Sequence, residues 1–148
     1  MEAFESDDGH VLVRLDPGDL ALETIREVCR EYEVRAGGVV SGIATLRNLN
    51  VHYVPTDEFP DEKSERNEYL ELDGAWEVSC IDGAIADYEP HLHVTAYNGE
   101  ETIGAHLEAG CETHIQGEVL LRRIEGLDDV TRAKNEKNVT ALTRRPSE

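Results

Sequence analysis

Apolar and polar positions alternate along most of this chain, with one helical exception near the N-terminus. From His10 to Leu15 every second residue is apolar, which predicts a strand, and Asp16-Pro17-Gly18 turns it. Leu22, Ile25, Val28, Cys29 and Tyr32 then fall along one stripe, predicting a helix that runs to about Tyr32 with Asp19 as its N-cap. Gly37-Gly38 closes that unit. Val39 to Val54 is strand-rich, with a bulge or bend expected at Ser41-Gly42. Residues 55–67 form a charged loop with two prolines. Strands follow near Tyr69–Leu72 and Trp76–Ile85, then a hairpin from His91 to Glu108, then His114–Ile124. From Asp128 the chain is polar, with at most short strand pieces around Val139–Leu142. The pattern predicts one α+β domain over residues 1–127 and a partly ordered tail over 128–148, and it contains no internal repeat.

The hairpin carries the candidate chemistry. It reads H-L-H-V-T-A-Y, N-G-E-E, T-I-G-A-H-L-E. Asn98-Gly99 is a strong turn signal because both residues tolerate the positive φ of a type I′ turn. With a two-residue loop, His91 lies opposite His106; with a four-residue loop, Asn98 to Glu101, His93 does. Both loops are even, so His91, His93 and His106 share one face either way. Directly opposed Cβ atoms lie about 5 Å apart and diagonal ones about 7–8 Å, close enough for three rings to converge on one ion. The other face carries Leu92, Val94, Ala96, Ile103, Ala105 and Leu107 and belongs to the core. The alternative is a polar strand face with scattered histidines. Gly104 leaves room beside the cluster.

Three neutral imidazoles suit a divalent transition ion, zinc foremost, and leave a fourth position open for a water or a small anion. Because no ligand is charged, the ion would keep its full positive charge. Glu108, two residues past His106 on the same face, is the local candidate for a base or for a partner of a ligand imidazole. Its alternative is a solvated acid in a chain full of them. His52 and His114 alternate onto polar faces and read as surface residues. No catalytic residue is assigned, so catalysis stays open.

Composition changes the picture of the surroundings. There are 32 acidic and 14 basic residues, 11 of the latter Arg and 3 Lys, for a net charge of −18 over 148 residues. With only 2 Phe and 1 Trp, this balance fits a halophilic cytoplasm whose salt screens self-repulsion. Cys29, Cys80 and Cys111 show no C-x-x-C spacing; Cys29, on the apolar side of the helix, and Cys80, beside Trp76 and Val78, read as small buried hydrophobes in a reducing compartment. No apolar run is long enough to span a membrane, and the acidic N-terminus lacks the basic region of a signal peptide, which predicts a cytoplasmic protein.

Four ordered motifs go further: S-G-I-A-T-L-R-N from Ser41, W-E-V-S-C-I-D-G-A-I-A from Trp76, H-L-H from His91, and I-G-A-H-L-E-A-G from Ile103. Together, over about residues 10–126, they resemble the plants-and-prokaryotes-conserved (PPC) domain. The resemblance implies an α+β fold with a mainly antiparallel sheet, a homotrimer, and His91, His93 and His106 as the metal set of prokaryotic members. Stand-alone prokaryotic members are often labelled DNA-binding, and plant members carry AT-hooks ahead of the domain. This chain departs in three places: G-A-H replaces the usual G-G-H at Gly104, Ala84 stands where many members have Asn, and no AT-hook run exists. Three classes of function therefore remain: a metal-binding module with or without catalysis, a DNA-binding regulator, and a structural trimer. Charge opposes the second, because nucleic-acid affinity comes largely from Lys and Arg on phosphates and the only basic pairs are Arg122-Arg123 and Arg144-Arg145.

Overall fold

The structure is a computed structural model describing residues 1–60 and 62–146, so residue 61 of the predicted loop and the last two tail residues lie outside it. Nine strands and two helices run in the order β1 (Glu2–Glu5), β2 (His10–Leu15), α1 (Ala21–Glu31), β3 (Ala36–Tyr53), α2 (Lys63–Arg66), β4 (Glu68–Ala86), β5 (Glu89–Tyr97), β6 (Thr102–Leu107), β7 (Thr113–Arg123), β8 (Val130–Lys134) and β9 (Thr140–Arg144). The fold is mainly antiparallel α+β, as expected. The first seven strands form one sheet in the order β1-β2-β7-β3-β4-β5-β6. An additional pairing of Val51 and His52 with Leu107 and His106 joins β3 to β6, so β3, β4, β5 and β6 close on one another.

Alternation sends one side of each strand inward. Val11, Val13 and Leu15 of β2, Leu92, Val94 and Ala96 of β5, and Val119 and Leu121 of β7 are buried. α1 lays Leu22, Ile25, Val28 and Cys29 on this surface, facing β2 and β5. At about 25 cal/mol per Å² of apolar area, burying such side chains is the main stabilising term.

Several expectations are corrected. Asp19 does not cap α1: Leu20 occupies the cap position with no side-chain bond, and the Ala21 N–H donates to the Cys111 carbonyl at 2.9 Å. The Asp19 carboxylate instead accepts from the Asp16 N–H at 2.8 Å and pairs with the chain's amino terminus at 2.9 Å. Gly37-Gly38 lies inside β3 rather than between units. The bend expected at Ser41-Gly42 is a register shift against β7 between Val39 and Ser41. The strands expected at Tyr69–Leu72 and Trp76–Ile85 are one strand, β4, and the slip opposite Leu46 and Asn48 is absorbed at Gly74, whose φ is +106°. Cys80 is exposed, not buried. A second shift, between Val78 and Cys80 against β5, puts Ser79 and Cys80 both outside before Ile81 turns in again. β1 precedes the first strand that alternation predicts, and α2 lies within the predicted loop. The tail holds a complete hairpin, β8–β9, broader than the strand pieces expected around Val139–Leu142.

Candidate metal centre

The hairpin adopts the four-residue loop. Tyr97 pairs with Thr102, Thr95 with Gly104 and His93 with His106. Asn98 accepts the N–H groups of Glu100 and Glu101 on its side-chain oxygen, both at 3.0 Å, and Gly99 alone in the loop has positive φ, +99°. A type I′ pair is thus replaced by a side-chain-closed loop. Parity holds: Leu92, Val94, Ala105 and Leu107 are buried, while the three histidines stand on the outer face.

There the rings converge. Centroids of His91 and His106 are 4.7 Å apart, those of His93 and His106 5.3 Å, and those of His91 and His93 5.6 Å. One ring nitrogen from each lies within 4.8 Å of the others. Zinc bound at about 2.0–2.1 Å in tetrahedral geometry needs donors about 3.4 Å apart, which small side-chain rotations would supply. Burial is the main cause that lowers the His91 pKa, followed by the positive charge of Arg132 and the neighbouring His93 and His52. A lowered pKa favours the neutral imidazole, the form that binds metal.

His52 was read as a surface residue, and this is corrected. The β3–β6 pairing sets it directly opposite His106, with ring centroids 4.3 Å apart, and β4 sets Tyr69 against its other side at 5.1 Å. His52 Nδ1 lies 2.5 Å from Glu108 Oε1, and the same oxygen is 3.8 Å from His106 Nε2. Glu108 is therefore partnered rather than simply solvated, and His52, His106 and Glu108 form a second group of donors within 4.8 Å of one another. The alternation of His52 onto an outer face is legible in the sequence; the long-range pairing that sets it beside His106 is not. His114 is half-buried on β7 and joins neither group among the described residues.

With this geometry described, comparison with known proteins places it in context. The family model Plants and Prokaryotes Conserved (PCC) domain matches residues 2–125. A structure described as a metal-containing protein from Archaeoglobus fulgidus is similar at 27% identity and TM-score 0.71, covering 93% of this chain and 95% of that one. A plant- and prokaryote-conserved protein from Pyrococcus horikoshii is similar at 22% identity and TM-score 0.73, covering 99% and 96%. A protein from Bacteroides thetaiotaomicron, provisionally named as DNA-binding, shares the fold at 15% identity and TM-score 0.80, covering 97% and 96%. No curated protein matches the sequence. Among the described residues no helix is long and apolar enough to cross a membrane.

Proposed function

The chain belongs to the Plants and Prokaryotes Conserved domain family, and from that premise we propose that it is a metal-binding module in which His91, His93 and His106 hold one divalent ion, zinc foremost. The observation that carries this reading is the convergence of three imidazole donors within 4.8 Å on an outer sheet face. The metal-containing name of the Archaeoglobus fulgidus protein supports it. Bound there, such an ion would supply Lewis acidity and a net positive charge for a small anionic ligand. The chain's own contribution is orientation. Glu108 holds His52 by a hydrogen bond, and the His52 ring packs against His106 with centroids 4.3 Å apart, so the pair supports one ligand ring from the side. No group is assigned to proton transfer, and the module is a binding site in this reading.

The assembly we propose is a homotrimer in a salt-rich cytoplasm. Leu12, Val40, Ile43 and Ile115 are exposed apolar residues on the β2, β3 and β7 strands, a surface that a closed three-fold ring would cover on every subunit. The acid excess supports high salt, since close packing of three copies needs screening. The DNA-binding name of a fold relative transfers poorly. Arg123 is held by Glu5 and by the Tyr32 carbonyl, and Arg144 and Arg145 by Asp129 and Asp87, so three of the four arginines in the basic pairs are already engaged.

Elemental analysis of protein purified without an affinity tag tests the metal assignment. About one ion per chain is expected in the wild type and a small fraction of that in His93→Ala. Equal metal content in the two would refute it.

A further inference from the structure

The C-terminal hairpin lies beyond the matched region, which ends at residue 125, yet it is anchored to the strand residue paired with His91. In the middle of β8, Arg132 donates to the carbonyls of Glu89 and Ala84, at 2.7 and 2.9 Å. Ala84 is the direct β4 partner of His91. Thr131 and Arg145 both engage the Asp87 carboxylate in the β4–β5 turn. At the hairpin's tip, Arg66 donates to the carbonyls of Lys137 and Asn138 at 3.3 and 3.2 Å, and its guanidinium stacks 5.2 Å from the Phe59 centroid. Arg66 lies two residues before β4, whose Tyr69 abuts His52. The hairpin is therefore held at Ala84, across the β4–β5 pairing from His91, and at Arg66.

Arg132, like Arg66, differs from most of the arginines in holding backbone carbonyls. Arg14, Arg26, Arg30, Arg35, Arg123 and Arg144 each hold a carboxylate. Among the described residues Arg132 is half-buried and has only the two carbonyls as hydrogen-bond partners. Two of its five N–H donors are thus committed and three remain. Burial pulls its pKa down, while Glu89 pulls the other way more weakly. Its bond to the Ala84 carbonyl places the guanidinium beside the β4 residue paired with His91, one of the metal set. A desolvated cation with spare donors beside three neutral imidazoles is a recognition element for a planar or tetrahedral oxyanion.

We infer that Arg132 makes the second contact to an oxyanion held at the histidine centre, so that the ligand is a small molecule bearing a carboxylate or a phosphate group. This rests on the metal reading above, and the test separates the two. Cobalt(II) is loaded into the tag-free full chain and its visible absorption is followed while inorganic phosphate, or in a parallel arm acetate, is titrated at fixed potassium chloride. Arg132→Gln should keep its cobalt and bind the preferred anion at least about tenfold more weakly, whereas Arg132→Lys, which keeps the charge but not the planar fork, should fall between Arg132→Gln and the wild type. A dependence in either titration supports the inference and names the ligand class. Equal anion affinities in wild type and Arg132→Gln overturn it and leave the metal centre standing. Loss of cobalt from both variants also overturns it, making Arg132 a clamp on the β5 backbone. A wild type that takes up no cobalt refutes the metal reading and this inference together.

Discussion

Gly83 touches no metal donor through a side chain, yet replacing it should disable the site. It sits on β4 opposite Leu92, between the pairs Ala84–His91 and Asp82–His93. Its φ is +148°, and a Cβ there would lie 2.0 Å from the His91 carbonyl oxygen and 3.0 Å from both the His91 carbonyl carbon and the Leu92 Cα. Ordinary contact begins at 3.4 Å, so the β5 backbone at His91 must retreat by about 1.4 Å. The φ strain costs about 1–3 kcal/mol and the forced backbone shift about 1–3 more. Gly83→Ala should therefore lose about 2–6 kcal/mol of stability, a large share of the roughly 5–15 kcal/mol a domain has. Displacing one ligand by this much should also weaken zinc by about 10–100-fold, the range seen when groups supporting a ligand are removed.

Gly104 supplies the control. It lies on the outer face with the histidines, opposite Thr95, and a Cβ there would meet nothing nearer than Thr95 Oγ1 at 4.0 Å. Gly104→Ala should change stability by less than about 0.5 kcal/mol and leave zinc affinity alone. Urea unfolding of the metal-free proteins, at one high salt and one protein concentration, reads the first quantity. Competition with a zinc chelator reads the second. If Gly83→Ala matched Gly104→Ala in both, the close approach of β4 to His91 would not be what holds the ligand in place.

Docking of the C-terminal hairpin should depend on acid. Arg145 holds the Asp87 carboxyl below the usual range, so its stabilisation is complete at pH above the ordinary carboxylate pKa of about 3.9 and is lost as pH falls through the lower folded value. Hydrogen exchange over residues 130–144 should accelerate in Asp87→Asn at neutral pH, and unchanged exchange would refute the anchor. Mobility shifts with AT-rich duplex should show no saturable binding at sub-micromolar protein; sequence-dependent binding there would overturn the charge argument. Light scattering across a salt series should show a trimer that loosens as salt is removed, since three copies of −18 gather 54 negative charges. A monomer at every salt concentration would refute the assembly.

The part of the site legible in the sequence was the part set by local periodicity. An even loop puts His91, His93 and His106 on one side whatever its length, and only the choice between His91 and His93 opposite His106 needed the structure. His52 was not legible, because its place beside His106 depends on β3 closing against β6 across more than 50 residues of chain. Cys80 failed for a different reason: one bulge shifts the alternation, and nothing in V-S-C-I marks it. The Asp19 cap failed because tertiary pairing of Leu20 with Glu112 already fixes the start of α1 and supplies the Cys111 carbonyl for its first donor.

Arg132 belongs to the same illegible class, since a lone arginine in a polar tail carries no periodic signal. Its position also answers an objection to an anionic ligand on so acidic a chain. The net charge of −18 is spread along the whole sequence, whereas the proposed ligand would sit within direct contact of one ion and one guanidinium. At physiological ionic strength the Debye length is about 8 Å, and at 1 M salt about 3 Å, so distant carboxylates are screened while touching groups are not. Of the nearby acids Glu108 is engaged with His52, Asp87 with Arg145, and Glu89 with Arg26 and Arg30, whereas Asp82, the β4 partner of His93, accepts the Gly83 N–H and holds no cation among the described residues. The balance of close charges, the proposed ion and Arg132 against Asp82, therefore decides what binds at the rings, and salt strengthens that local control by removing the long-range repulsion.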